Sequence, residues 1–200
     1  MSDIPVWPRA LQPSESEFWP WFNTKVFESP FSRAGQVLEY PGCVWRAQLV
    51  FRNLDRDLLR QMEVFTLQLR GAANRVRLGD PVFDEPRGPA EGTPLVDGSG
   101  QDGVTLRILG CTPEQLFLAT GDYFTVGDEL KRLTADGIAD IDGKVDLYFE
   151  PPLRSSPANS TPLQVRDSFC LMRLDDDEQL RSKRRPLHGD ITLNFTEALY

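Results

Sequence analysis

The sequence predicts a mainly β fold: a β-sandwich or split barrel with one flanking α-helix at about residues 56–70, plus a second small β lobe. Three observations carry this expectation. Most apolar residues alternate with polar ones at period two, as on half-buried strands. Only one segment changes to the helical period. The 15 glycines and 16 prolines are scattered along the 200 residues without forming a low-complexity tract, which suits a turn-rich chain. Hydrophobic residues at 40% suffice for a core.

The first 23 residues carry Trp7, Phe18, Trp19, Trp21 and Phe22, interrupted by Pro5, Pro8, Pro13 and Pro20. Prolines at that density oppose a helix and favour an extended arm, packed on its own domain or docked on a neighbouring subunit. Two short β-prone runs follow, Thr24 to Phe27 and Gln36 to Tyr40, separated by Ser29, Pro30 and Gly35. In Val44 to Phe51, the residues Trp45, Ala47, Leu49 and Phe51 share one face, with Arg46 and Gln48 on the other.

The period then changes. Leu58, Met62, Phe65 and Leu69 recur at intervals of four, three and four and form one helical stripe. Asp55 is the expected N-cap, Leu54 and Leu59 a hydrophobic staple, and Gly71 the left-handed stop. The Met and Phe stripe is read as core. After the helix, Val76 and Leu78 alternate with Arg75 and Arg77, and Phe83 to Gly103 reads as a long Gly/Pro loop.

The remainder is expected to be β throughout. Val104, Leu106 and Ile108 alternate as a strand, and Tyr123 to Leu133 forms two strands about a Gly127-Asp128 turn. A turn at Asp142-Gly143 precedes the buried face Val145, Leu147 and Phe149. Phe169, Leu171 and Arg173 continue the alternation less cleanly, and Ile191, Leu193 and Phe195 define a final strand. Roughly ten strands and one helix result. Composition divides them into a β core with the helix, residues 1–82 plus 166–200, and a small lobe, residues 83–165.

The chemistry-bearing motifs mostly fail on their context. Gly98, Gly100 and Gly103 have the G-x-G-x-x-G spacing, but a dinucleotide loop needs a helix after the glycines to hold the pyrophosphate. Here an alternating strand follows and Pro94 lies upstream, so a flexible loop between β elements is expected. The single histidine, His188, is read as a solvated side chain; no nucleophile elbow accompanies it, and Ser-His or Cys-His catalysis would depend on it alone. Asp136, Asp140, Asp142 and Gly143 only faintly resemble a calcium loop, lacking its order and its closing Glu. The cysteines Cys43, Cys111 and Cys170 are odd in number and far apart, against a disulfide framework or a zinc site. No catalytic, cofactor-binding or metal-ligating residue is assigned. A glycosidase-like carboxylate pair stays open, because 30 acidic residues provide many pairs.

The formal net charge of −8 is the reverse of what a free-standing nucleic-acid binder needs. The basic run Arg181, Lys183, Arg184 and Arg185 follows directly on Asp175, Asp176, Asp177 and Glu178, and such adjacent blocks read as a solvated loop. No segment has the length of apolar residues that a membrane helix needs, no secretory signal is visible, and synthesis in a reducing cytoplasm is expected.

Several stretches resemble tail-tip proteins of long-tailed bacteriophages, with distal tail (tail hub) proteins as the nearest group. The carrying residues are PGCVWRAQLVFRNLDRDLLRQMEVFTLQLRGAANRVRLGDP, the loop PRGPAEGTPLVDGSGQDG, the segment GDYFTVGDELKRLTADGIADIDGKVDLYFEPPLRSSPANSTPL and the ending ITLNFTEAL, spanning about Thr24 to Leu199. None is a catalytic fingerprint; the likeness lies in their order and in the unusual loop. The resemblance implies a non-enzymatic virion protein, synthesised in the host cytoplasm and located at the phage tail tip. It would be a subunit of a homo-oligomeric, usually hexameric ring joining the tail tube protein to baseplate or receptor-binding proteins. DNA would pass through its channel without specific binding, and no cofactor or membrane insertion is implied. The acidic run and RSKRRP depart from the family pattern. An acidic channel lining would repel phosphates. Phe83 to Gly103 and the aromatic N-terminal arm are expected in subunit interfaces. The alternatives are a neighbouring baseplate or tube protein, and a carbohydrate-binding β-sandwich or small glycan hydrolase of the tail tip.

Overall fold

A computed structural model describes residues 4–178, 183–184 and 188–199. Strand accounts for 49% of the chain and helix for 9%, so the mainly β class holds, and one sheet curls into a nearly closed barrel. Fourteen strands are present among the described residues, more than the ten or so expected.

The first sheet is built on β1 (Glu15–Glu28) and β2 (Gly35–Leu54), an antiparallel hairpin. The two short runs predicted around residues 24–40 are therefore the far half of this hairpin, and β2 runs unbroken into Val44 to Phe51. Neither Pro20 nor Pro30 interrupts the hairpin. Pro20 lies on β1, whose outer edge has no strand neighbour and so needs no donor there, while Pro30 lies in the turn. A bulge between Trp21 and Asn23 absorbs the irregularity.

From β2 the chain enters α1 (Arg56–Leu69), where the Asp55 carboxylate accepts the N–H groups of Asp57 and Leu58 at 3.0 and 2.8 Å, as a capping Asp should. The helix ends one residue earlier than expected. Arg70 is the left-handed residue that closes it, with φ 52, and Gly71 follows at φ 64 as the start of a short 3-10 turn. Met62, Phe65 and Leu69 face the core as predicted.

Then β3 (Val76–Leu78) takes one edge of the sheet. The chain leaves for β4 (Gly92–Val96), β5 (Gly103–Cys111), β6 (Leu116–Leu118), β7 (Tyr123–Val126), β8 (Glu129–Leu133), β9 (Gly137–Ile138), β10 (Val145–Leu153) and β11 (Leu163–Gln164). It returns in β12 (Cys170–Leu174), β13 (Lys183–Arg184) and β14 (Gly189–Glu197). The first sheet runs β1-β2-β14-β12-β3, with β13 beside β14; the second runs β11-β7-β8-β10-β5-β4, and β6 pairs with β9.

Two hydrophobic clusters lie within this frame. One joins Trp45, Leu49, Phe51, α1 and the inward residues of β12 and β14; the other joins Leu106, Ile108, Phe124, Leu147 and Phe149 of the second sheet. Tyr123 and Leu130 project from the second sheet into the first cluster. On β12 the inward face is Cys170, Met172 and Leu174, not the expected Phe169, Leu171 and Arg173. The segment 83–103 contains β4 and is fastened to its own subunit. The buried Asp122 carboxylate accepts the N–H groups of Arg87, Gly88 and Ala119, and the Ala90 N–H donates to the Phe117 carbonyl. Residues 87–96, expected in a subunit interface, are thus anchored by bonds within their own chain.

Candidate assembly surfaces

The N-terminal arm divides in two. Its first part packs on its own domain: Trp7 contacts the rings of Phe51, Phe65 and Phe195 at 5.9, 5.2 and 5.8 Å. Trp7 also donates its indole N–H to the Leu11 carbonyl at 2.9 Å, and Leu11 is buried. The first part of the arm is thus anchored on its own domain. The second part is β1, and it leads outward.

Beyond Trp21 the hairpin leaves the sheet, and from Trp21 to Tyr40 almost every described residue is exposed. At ~3.3 Å per residue, the eight residues from Gly35 to Gly42 carry the ribbon about 25 Å beyond the sheet. Both faces are partly apolar. Cross-strand pairing places Tyr40, Leu38 and Phe27 on one face, where the Lys25 ammonium lies 4.9 Å from the Phe27 ring, and Val26 opposite Val37 on the other. At the root, the Arg46 guanidinium stacks 3.7 Å over Trp21.

The tip is ordered by its own hydrogen bonds. The Ser29 carbonyl accepts the Arg33 N–H at 2.9 Å, the Ser29 N–H donates to the Ala34 carbonyl at 2.9 Å, and the Ser29 hydroxyl accepts from the Phe31 and Ser32 N–H groups. Arg33 takes the left-handed φ of 54 that this turn demands. Phe31 is 98% exposed at the apex. Isolated two-stranded ribbons are marginal in water, and exposed apolar surface of this kind marks an interaction site.

A cleft of about 310 Å³ lies at the other edge of the first sheet, beside β3. Its apolar wall comes from Trp7, Leu11, Pro13, Pro81 and Phe169, and its acids are Asp80, Asp84 and Asp167. The N-terminal segment closes one side through a bridge between Val6 and Arg77 and an ion pair from Arg9 to Asp167. Burial raises the Asp80 carboxyl above its usual range, against the opposing N–H of Val82 and hydroxyl of Tyr123.

A buried polar network joins the two sheets. Glu197 accepts the Trp45 backbone N–H at 3.0 Å and pairs with the Arg154 guanidinium, while the Trp45 indole donates to the Leu130 carbonyl at 2.9 Å. Lys131, wholly buried, donates to Glu129 at 2.8 Å and to the Pro152 carbonyl at 2.7 Å. Glu129 also accepts the N–H groups of Arg154 and Ser155 and the Ser155 hydroxyl. Burial alone would raise the Glu129 carboxyl, but those donors and the charges of Lys131 and Arg154 outweigh it and hold it below the usual range.

The remaining sequence candidates fall as follows. Gly98, Gly100 and Gly103, all with positive φ, turn the chain between β4 and β5, so the glycine-rich loop joins two strands. Asp140 accepts the N–H groups of Asp142 and Lys144 and thereby makes the turn at Gly143, while Asp136 accepts from Thr120. Among the described residues no group of three His, Cys, Asp or Glu could hold a metal ion, and no helix is long and apolar enough to cross a membrane. The three cysteines are free thiols, and His188 is exposed. Within the acidic run, Asp177 accepts the Ala72 N–H at 3.0 Å, fastening the 3-10 turn instead of lying free in a solvated loop. Lys183 and Arg184 pair with Asp190 and Gly189, and Arg181 and Arg185 lie outside the described residues.

No protein-family model and no curated protein matches this chain.

Proposed function

We propose that this protein is a non-enzymatic, ring-forming subunit of a phage tail tip, a distal-tail-like hub piece between the tail tube and the baseplate. The observation that carries the reading is the free-standing hairpin, Trp21 to Tyr40, with apolar side chains exposed on both faces. A ribbon of this kind on an isolated molecule has no packing partner. Reaching over a neighbouring copy would bury it, and an arm-to-body contact is heterologous, the type that closes into a ring. The net charge of −8 suits a subunit lining a DNA passage, where phosphates should not adhere. Virion location, a hexameric ring and tube and baseplate partners come with the resemblance and belong to this proposal.

The test is native mass spectrometry of the full chain with negative-stain images of the same sample, before and after Trp21→Ser/Phe27→Ser/Leu38→Ser. A closed ring lost in the triple variant, with unchanged circular dichroism, supports the reading. A monomer at all concentrations, alone and with tail tube protein added, refutes it.

A second reading, a carbohydrate-binding module of the tail tip, is favoured by one observation. The cleft beside β3 combines the aromatics Trp7 and Phe169 with the carboxylates Asp80, Asp84 and Asp167. Binding on a glycan array, abolished by Asp84→Asn, would support it.

A further inference from the structure

We infer that the hairpin tip of one copy inserts Phe31 into the cleft beside β3 of the next copy. This deepens the ring reading and rests on it. Position comes first. The arm leaves the first sheet at its β1–β2 edge, and the cleft lies at the opposite, β3 edge. A knob on one edge and a socket on the other are the two halves of a head-to-tail contact, which propagates from copy to copy and closes when the rotation allows.

Shape and chemistry agree with the position. The tip presents one large apolar side chain, Phe31, at 98% exposure, on a turn already rigid through the bonds to Ser29. Preorganisation of this kind reduces the entropy lost on docking. The cleft of about 310 Å³ is large enough for a phenyl ring, and the half-buried rings of Trp7 and Phe169 in its wall offer edge and face contacts to it. Charge is complementary beside the knob: Arg33 follows Phe31 by two residues, and Asp84 is exposed at the cleft. The same acids could attract a sugar, so a glycan is the competing occupant.

The experiment uses the full chain with a benzophenone amino acid replacing Phe31, irradiated and mapped by peptide mass spectrometry, beside native mass spectrometry of Arg33→Glu, Asp84→Arg and the double variant. The expected result is an inter-chain cross-link to residues 6–13, 77–84 or 164–169. Each single variant should associate at least tenfold more weakly, and the double variant should recover most of the loss. Rings that form with cross-links mapping elsewhere overturn this contact and leave the ring reading standing. Absence of any oligomer overturns both. Glycan binding that Phe31→Asp leaves unchanged and Asp84→Arg abolishes, with rings intact in both, overturns the contact in favour of a sugar site.

Discussion

Replacing Lys131 by Met tests how much the buried ion pair that ties β8 to β10 contributes to stability. Lys131 is wholly buried, and its ammonium makes two short bonds, to Glu129 at 2.8 Å and to the Pro152 carbonyl at 2.7 Å. Removing one partner of a buried pair strands the other charge, at a typical cost of about 3–5 kcal/mol. Glu129 keeps three donors, the N–H groups of Arg154 and Ser155 and the Ser155 hydroxyl, so the lower end applies, about 3 kcal/mol. For a chain of this size that corresponds to a fall in Tm of roughly 6–12 °C.

The assay is urea unfolding followed by tryptophan fluorescence, with the transition slope checked for constancy. Adding Glu129→Gln to Lys131→Met removes the stranded charge and should recover part of the loss. Glu129→Gln also has a pH signature. Its carboxyl lies below the ordinary value of 4.5 in the folded state, so its stabilisation is present above that value and is lost as pH falls through the folded value. The acid limb of stability below about pH 4.5 should therefore be shallower in the variant. A Lys131→Met variant that loses less than about 1 kcal/mol would refute the claim that Lys131 and Glu129 form a stabilising buried pair.

Three further outcomes are expected. Gly79→Ala should lower Tm by about 5–10 °C in a thermal melt, because the added methyl runs into the backbone carbonyl of Ser168; an unchanged melt would contradict the close approach of the chain there. Asp80→Asn should raise Tm at pH 7: burial lifts the Asp80 carboxyl above its ordinary 3.8, so the charged form costs stability as pH rises through that window, and the amide has no charge to bury. Burial also pushes the Cys43 and Cys111 thiols up to about 11 and raises Cys170 well above the ordinary thiol value, so Ellman's reagent at pH 8 should react slowly with the native protein and rapidly in urea. Fast reaction of all three thiols in the native state would refute those placements.

What the sequence makes readable here is local. The alternation Trp45, Ala47, Leu49 and Phe51, the Asp55 cap and the Gly127-Asp128 turn each depend on a few adjacent residues, and each is found as read. Where partners are distant the reading fails. Asp177 fastens Ala72 from 105 residues away, and Glu197 reaches Trp45 across 152, with no local signal for either bond. The arm was half-visible. Exposed Phe27, Phe31, Leu38 and Tyr40 are conspicuous in the sequence, but prolines near them argued for separate short strands. The residue pattern also cannot tell a buried apolar stripe from an exposed one, which is why Trp7 and Trp21 read as one arm and lie in opposite environments.

The pairing of β3 with β12 has a consequence for how the chain can be altered. Leu78 lies opposite Cys170, so the 91 residues between them leave and rejoin the first sheet through neighbouring strands. The whole excursion is a cassette with a single doorway. A homologue could lengthen it, shorten it or exchange its contents, and β1, β2, β14, β12 and β3 would keep their order. Three residues make the exchange imperfect: Tyr123 and Leu130 reach back into the first cluster and Arg154 pairs with buried Glu197, so any replacement must fill those holes and meet that charge. Related chains could thus vary what hangs from this sheet while the arm and its edge stay fixed.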